Sequence, residues 1–347
     1  MLICLANSMR RIIVINQPKQ AGKSVDEMGF NGLRSSVDMS ARSEETSFSY
    51  RTGTFVPELD STYVMPKDTK ELFEVLQEER KSESQNVILV GPTGCGKTEF
   101  AKQFAAMHKL PLLKMDCANV TEAQQWFGHF DLKGGNMSWQ ESPFDRVVSA
   151  GNHVILLDEI NRAAPEVLNV LLPLLDTNRS TFIQDRKPSP ILRDGGGLVW
   201  FATMNEGAAY TGTIKLDRAL RARFSDVVEL TYLSKVDEIE LLVKRTAISV
   251  DNATKLVDIA DTIRRKAKGI DSVFTHTVST RELLNAAKKF TRGGVKTLRF
   301  SLINHFSAGT GADSERAQVL EMLKGKFGSI DGDTAKATTA SDLVSSF

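Results

Sequence analysis

Gly91-Pro92-Thr93-Gly94-Cys95-Gly96-Lys97-Thr98 is the stretch on which the reading of this chain turns. It fits the spacing G-x-x-x-x-G-K-[ST] at every fixed position. An apolar run at 87–90 precedes it and reads as a buried strand, and a helical pattern over 98–108 follows. A phosphate cradle needs these residue types in this order. Glycines let successive backbone N–H groups close around phosphate oxygens. The start of the following helix adds a partial positive charge. Lys97 offers a point charge to the β- and γ-phosphates of a nucleotide, and the Thr98 hydroxyl can hold Mg²⁺. The rival reading, a Gly-rich turn that matches by chance, leaves the strand and helix on either side unexplained.

Further along, Val154-Ile155-Leu156-Leu157 ends in Asp158-Glu159. A buried strand delivering two carboxylates supplies the other half of phosphoryl-transfer chemistry. Asp158 would sit in the Mg²⁺ shell, and Glu159 would polarise an attacking water as general base. On its own, the same string is a strand that ends in solvated acids. Asn205 closes the next strand, where its amide can face the water or the γ-phosphate, or can simply cap a turn. Arg218, Arg221 and Arg223 crowd a short helix before Phe224. They read either as a basic helix end favoured by the macrodipole or as a source of an arginine finger. Ser279 and Glu282 form a capping box, which leaves the neighbouring Arg281 unexplained.

The pattern around these pieces is an alternation. Short apolar runs at 87–90, 112–115, 154–157, 199–203 and 227–230 are separated by helical stretches, beginning with an apolar face over 68–79. That signals an α/β fold with a parallel sheet covered by helices on both faces. After Ser234 the strands stop, and helices over 236–246, 251–267 and 281–290 predict a small all-helical domain. The expected organisation is a mobile arm over 1–53, a nucleotide-binding α/β domain over 54–233, a helical lid over 234–330 and a disordered tail over 331–347. Residues 11–16 read as a short strand inside the arm. Gly134-Gly135, between apolar flanks, fits two short strands and a turn within 126–144, the alternative being a plain loop.

Bulk composition adds limits. With 347 residues the chain should hold about two domains at ~150 residues each. A net charge of +1 argues against a large basic face for nucleic acid without excluding a local one. Cys4, Cys95 and Cys117 lack the spacing of a metal pair, so a reducing cytosol is the expected compartment. No run approaches the ~20 apolar residues of a membrane span. Arg10 and Arg11 follow the short apolar stretch at 1–6, the reverse of a signal peptide. His129, His153, His276 and His305 show no ligand spacing and read as surface or packing residues.

In this order the pieces resemble the AAA+ family over about 55–327. Within it they are similar to the MoxR-type branch, and most to the ATPase subunit of cobaltochelatase. The branch likeness rests on Asp158-Glu159-Ile160-Asn161-Arg162-Ala163 and on the segment 126–144, where family members carry a hairpin inserted in the helix after the second strand. Tyr210-Thr211-Gly212-Thr213 ahead of the arginine helix resembles the cobaltochelatase subunit, and the resemblance implies a second hairpin over 181–192. The resemblance implies ATP and Mg²⁺ as ligands and Gly91 to Thr98 as the phosphate loop. Asp158 and Glu159 become the Mg²⁺ and base carboxylates. Asn205 and Arg281 become the two γ-phosphate sensors, and Arg223, with Arg221 as rival, the finger. It implies a homo-oligomeric ring of six, and a protein partner such as one with a von Willebrand A domain. A metal-chelatase motor and a nucleic-acid or restriction-type NTPase are the competing outputs.

Overall fold

The apolar runs are continuous because the strands are buried on both faces. The computed structural model describes residues 11–14 (backbone only), 53–66, 69–186, 189–205, 213–267, 274–308 and 314–328, apart from the Lys133 side chain. The remainder of the expected arm, the expected tail and Tyr210-Thr211-Gly212 lie outside the described residues. The chain divides into two compact units, 1–231 and 232–347.

In the first unit the strands are β1 (Arg11–Val14), β2 (Gln85–Val90), β3 (Leu112–Asp116), β4 (Gly128–Lys133), β5 (Asn136–Glu141), β6 (Val154–Asp158), β7 (Ser180–Phe182), β8 (Ile191–Arg193), β9 (Val199–Met204) and β10 (Asp226–Glu229). Its helices are α1 (Thr69–Glu79), α2 (Lys97–Met107), α3 (Pro143–Ala150), α4 (Pro165–Leu168), α5 (Leu172–Leu175) and α6 (Arg218–Ala222). Six strands form one sheet in the order β1-β10-β2-β9-β6-β3, and every pairing in it is parallel. The short strand read at 11–16 is its edge strand, in register with β10 from Arg11↔Asp226 to Val14↔Glu229.

Side chains alternate between two cores, as the two-residue period of a strand requires. Val87, Leu89, Val154, Leu156, Val199 and Phe201 join Phe73 of α1 and Phe100 and Phe104 of α2. Ile88, Ile155, Leu157, Trp200 and Ala202 join Trp126 and Phe144 on the other side. Ring edges meet ring faces throughout the first core, with Phe73–Phe100 at 4.9 Å and Phe104–Phe201 at 5.5 Å.

Both expected hairpins form, as antiparallel pairs β4·β5 and β7·β8. Lys133 pairs with Asn136 across Gly134 and Gly135, whose φ values of 58° and 86° are those of a two-residue turn that favours glycine. The first hairpin is not spliced into a helix as expected. Two 3-10 turns, Cys117–Asn119 and Ala123–Trp126, lead into it, and α3 starts immediately after it. Pro143 explains the late start, because it fits the first helical turn behind the Ser142 cap and could not lie inside a longer helix. Asp145 of α3 is fully buried and is held by Arg186, from the β7–β8 connection, at 2.8 Å. The same guanidinium reaches Ser189 O at 2.8 Å, Ser149 Oγ at 3.2 Å and the Glu141 carboxylate at 3.4 Å.

The second unit contains α7 (Lys235–Thr246), α8 (Val250–Lys266), α9 (Thr280–Gly293), α10 (Leu298–Ser301) and α11 (Glu315–Phe327). Four of these start on a serine N-cap, Ser234, Ser249, Ser279 and Ser314, whose side chains accept from the third helical N–H. Their core gathers Leu242, Leu256, Ile263, Phe274, Leu283, Leu298 and Phe306. A buried bidentate pair, Arg264 to Glu238 at 2.8 and 2.9 Å, ties α7 to α8. Among the described residues no helix is long and apolar enough to cross a membrane.

Glu315 clamps two loops in this unit. One carboxylate oxygen accepts from Thr275 N and from Thr275 Oγ1 at 2.8 Å; the other accepts from Ser307 N at 3.0 Å and Ser307 Oγ at 2.6 Å. Burial by itself would push this carboxyl up, but the hydrogen bonds from Ser307 and Thr275 hold it down at about 2. A depressed folded value contributes stability that is complete above the unfolded value of ~4.3 and is lost as pH falls towards 2. Glu315→Gln should therefore lower the melting temperature at pH 7, and the gap to the parent should close between about pH 4 and pH 2. Thermal melts of both proteins across that range check it; a gap that persists at pH 2 would mean the carboxylate charge is not what the loops use.

Candidate functional site

The phosphate-loop sequence lies between the end of β2 and the start of α2. Gly91 must be glycine because a Cβ there would sit 2.2 Å from the Leu230 carbonyl oxygen. That carbonyl belongs to the chain leaving β10, the neighbour of β2. Gly96 precedes α2 at φ 103°, a left-handed conformation that other residues rarely adopt. No side chain caps this helix, so its first amides are left facing the loop.

Lys97 is buried, 8% exposed, and its ammonium donates to Gly91 O and Pro92 O at 2.8 Å and to Asn205 Oδ1 at 2.7 Å. One cation thus joins the loop after β2 to the residue after β9, the strand beside it. Asn205 is in turn held by Asn161, whose amide donates to Asn205 O at 2.9 Å.

Thr98 Oγ1 lies 3.1 Å from Asp158 Oδ1, and Thr203 Oγ1 donates to the same oxygen at 2.6 Å. Lys114, on β3, pairs with the other oxygen at 2.7 Å. Burial raises the Asp158 carboxyl, but the hydrogen bonds from Lys114, Thr203 and Thr98 outweigh it and hold the group below its ordinary value. A hydroxyl beside an ionised carboxylate is a hard oxygen pair of the kind that could hold Mg²⁺. Thr203 also accepts from Glu159 N at 2.9 Å, which fixes Glu159 at φ 53°. The Glu159 carboxylate then meets Arg162 Nε at 2.7 Å.

Lys97, Thr98, Asp158 and Asn205 therefore converge at the carboxyl ends of β2, β6 and β9, where open parallel sheets take ligands. Lys114 and Thr203 went unremarked in the sequence. Thr203 had one legible signal, a lone hydroxyl residue two positions before Asn205 in an apolar strand. Lys114 had none, because only the β3·β6 pairing brings it to Asp158.

Arg223 caps the end of α6, and its guanidinium donates to Asp176 Oδ2 at 2.9 Å, Ala219 O at 2.9 Å and Leu172 O at 3.2 Å. Arg218 is exposed and Arg221 half-buried. Arg281 is exposed on the first turn of α9, in the second unit, and the predicted Ser279–Glu282 capping box forms beside it.

A strand, a glycine loop closed on its own lysine, a helix, and an Asp–Glu pair on a nearby parallel strand define a P-loop ATPase. The model of the AAA domain (dynein-related subfamily) matches residues 86–224, and that of the CbbQ/NirQ/NorQ C-terminal region matches 238–322. BssE of Thauera aromatica is 32% identical over 241 residues, covering 69% of this chain and 81% of that protein. NorQ of Paracoccus denitrificans is 34% identical over 214 residues, covering 60% and 74%. Midasin of Giardia intestinalis is 26% identical over 238 residues, covering 66% of this chain and 5% of that one. The chain belongs to the MoxR-type AAA+ ATPases.

Proposed function

We propose that the chain hydrolyses ATP with Mg²⁺ at the joints of a hexameric ring and uses the cycle to remodel a protein partner. The convergence of Lys97, Thr98, Asp158 and Asn205 at the strand ends carries this reading. Gly91 to Thr98 wrap the phosphates with backbone N–H groups, and Lys97 turns its ammonium from carbonyl oxygens to phosphate oxygens. Thr98 and Asp158 would hold the metal, which when bound would supply positive charge against the phosphates. Glu159 takes the proton of the attacking water. Asn205 orients that water or the γ-phosphate, and Arg281 senses the same phosphate from the lid. Arg223 serves the neighbouring subunit.

A protein partner is favoured by the hairpins. Phe130, Leu132 and Met137 on the first, and Phe182 and Ile191 on the second, are all at least 45% exposed. Apolar tips suit a protein surface better than a phosphate backbone, which calls for lysine and arginine. One of the relatives carries the word chaperone in its name, and a partner with a von Willebrand A domain is the form we expect.

Lys97→Ala tests the pocket. It should lose ATP affinity by at least ~10-fold, because the phosphates lose their main point charge. Isothermal calorimetry measures it directly. Unchanged affinity would remove the phosphate-loop assignment and the ATPase mechanism built on it.

A further inference from the structure

The sequence gives His276, Glu282 and His305 no ligand spacing, yet in the helical unit one ligand atom from each lies within 4.8 Å of the other two. Glu282 Oε2 is taken by the helix cap, accepting from Ser279 N at 2.7 Å and Ser279 Oγ at 2.8 Å. That leaves Oε1 facing His276 Nε2 at 2.8 Å and His305 Nδ1 at 3.6 Å. The imidazoles lie nearly parallel, 15° apart, with centroids at 6.1 Å, and His276 packs against the Phe306 ring. The Glu315 clamp grips Thr275 and Ser307, so one carboxylate fixes the loops on which both histidines sit.

The geometry points to a divalent transition-metal site made by His276 Nε2, His305 Nδ1 and Glu282 Oε1. Two imidazole nitrogens and one carboxylate oxygen suit Zn²⁺ and its borderline neighbours. They do not suit Mg²⁺ or Ca²⁺, which take shells of oxygen. Metal bonds of about 2.1 Å place tetrahedral ligand atoms roughly 3.4 Å apart. The histidine–glutamate separations, 2.8 and 3.6 Å, bracket that value, and the two imidazole nitrogens start within 4.8 Å of each other. Both histidine side chains are 40% exposed, which leaves a fourth position open to water or to a donor from a partner. The Ser279 cap behind Glu282 is hydrogen-bonded support of the kind usual at a metal centre. The bound ion would join the loop before α9, the first turn of α9 and the 3-10 turn Ile303–His305. This inference is independent of the nucleotide reading.

The test is a Zn²⁺ titration of the full chain in excess Mg²⁺, by competition with a chromogenic chelator, with Co²⁺ as a visible-absorption probe. The expected result is one high-affinity ion per chain, a raised melting temperature, and Co²⁺ bands that Zn²⁺ removes. His276→Ala and His305→Ala should each weaken Zn²⁺ binding by more than ~100-fold, beyond what loss of an outer partner gives. His129→Ala, on the first hairpin, should leave it unchanged. A parent that binds no Zn²⁺, or histidine variants that bind it as the parent does, overturns the site. Should either variant misfold, histidine NMR of the parent decides instead: the His276 and His305 ring signals must move on adding Zn²⁺, and unmoved signals overturn the site.

Discussion

Arg223→Ala is expected to lower ATP turnover roughly 10³-fold or more while leaving nucleotide affinity within a few-fold. The size follows from what a planar cation does for charge developing on a transferring phosphoryl group. The affinity is spared because Arg223 touches none of Lys97, Thr98, Asp158 or Asn205 within its own subunit; its three contacts are Asp176, Ala219 O and Leu172 O. Those contacts pre-order a side chain that is 28% exposed, which lowers the entropy cost of presenting it to a neighbour. The same contacts raise the alternative that Arg223 merely braces α6. Arg223→Lys separates the two, since it keeps the charge and the ion pair to Asp176 but loses the guanidinium fork. A brace tolerates that change and a finger does not. Mixing is the sharper experiment. Lys97→Ala subunits offer a finger without a pocket, and Arg223→Ala subunits a pocket without a finger, so mixed rings should regain part of the activity. Full activity of Arg223→Ala alone, or no rescue in rings shown to be mixed, ends the shared-site mechanism for this residue. Arg221→Ala in parallel tests the rival.

Glu159→Gln should bind ATP normally and hydrolyse it at least ~100-fold more slowly. The backbone is already committed to presenting this side chain: Glu159 sits at φ 53°, and its N–H is fixed on Thr203. The substitution changes neither that hydrogen bond nor the Asp158 network beside it. What it removes is the ability to accept a proton, together with the ion pair to Arg162. Single-turnover hydrolysis read beside calorimetric affinity separates the steps, and turnover near the parent's would take the base role away from Glu159. Because this variant should accumulate with ATP bound, it is also the form in which a partner complex should last longest.

What could be read from sequence divides along chain distance. The phosphate loop, the Asp158-Glu159 pair and the Ser279–Glu282 box were legible because each is a local pattern whose residue types answer to one local need. The glycine pair at 134–135 announced its hairpin for the same reason. Strand order was not legible, since all the buried strands share one apolar vocabulary and nothing in Val154-Ile155-Leu156-Leu157 names its neighbours. Everything that depends on that order was hidden with it. Lys114 reaches Asp158 only because β3 lies beside β6, and Lys97 reaches Asn205 only because β2 lies beside β9. The grouping of His276 with His305 likewise depends on the Glu315 clamp, which the sequence does not advertise.

The buried Asp145–Arg186 pair makes the two hairpins a single unit of inheritance. Asp145 stands on the helix that follows the first hairpin, and Arg186 comes from the connection of the second. Exchanging either hairpin region alone for that of a distant relative, together with its half of the pair, would strand an unpaired charge, a fault that costs about 3–5 kcal/mol. A change to either hairpin region must therefore either spare these two positions or carry both regions across together. An engineer retargeting the ATPase would do best to transplant 126–150 and 180–193 as one cassette.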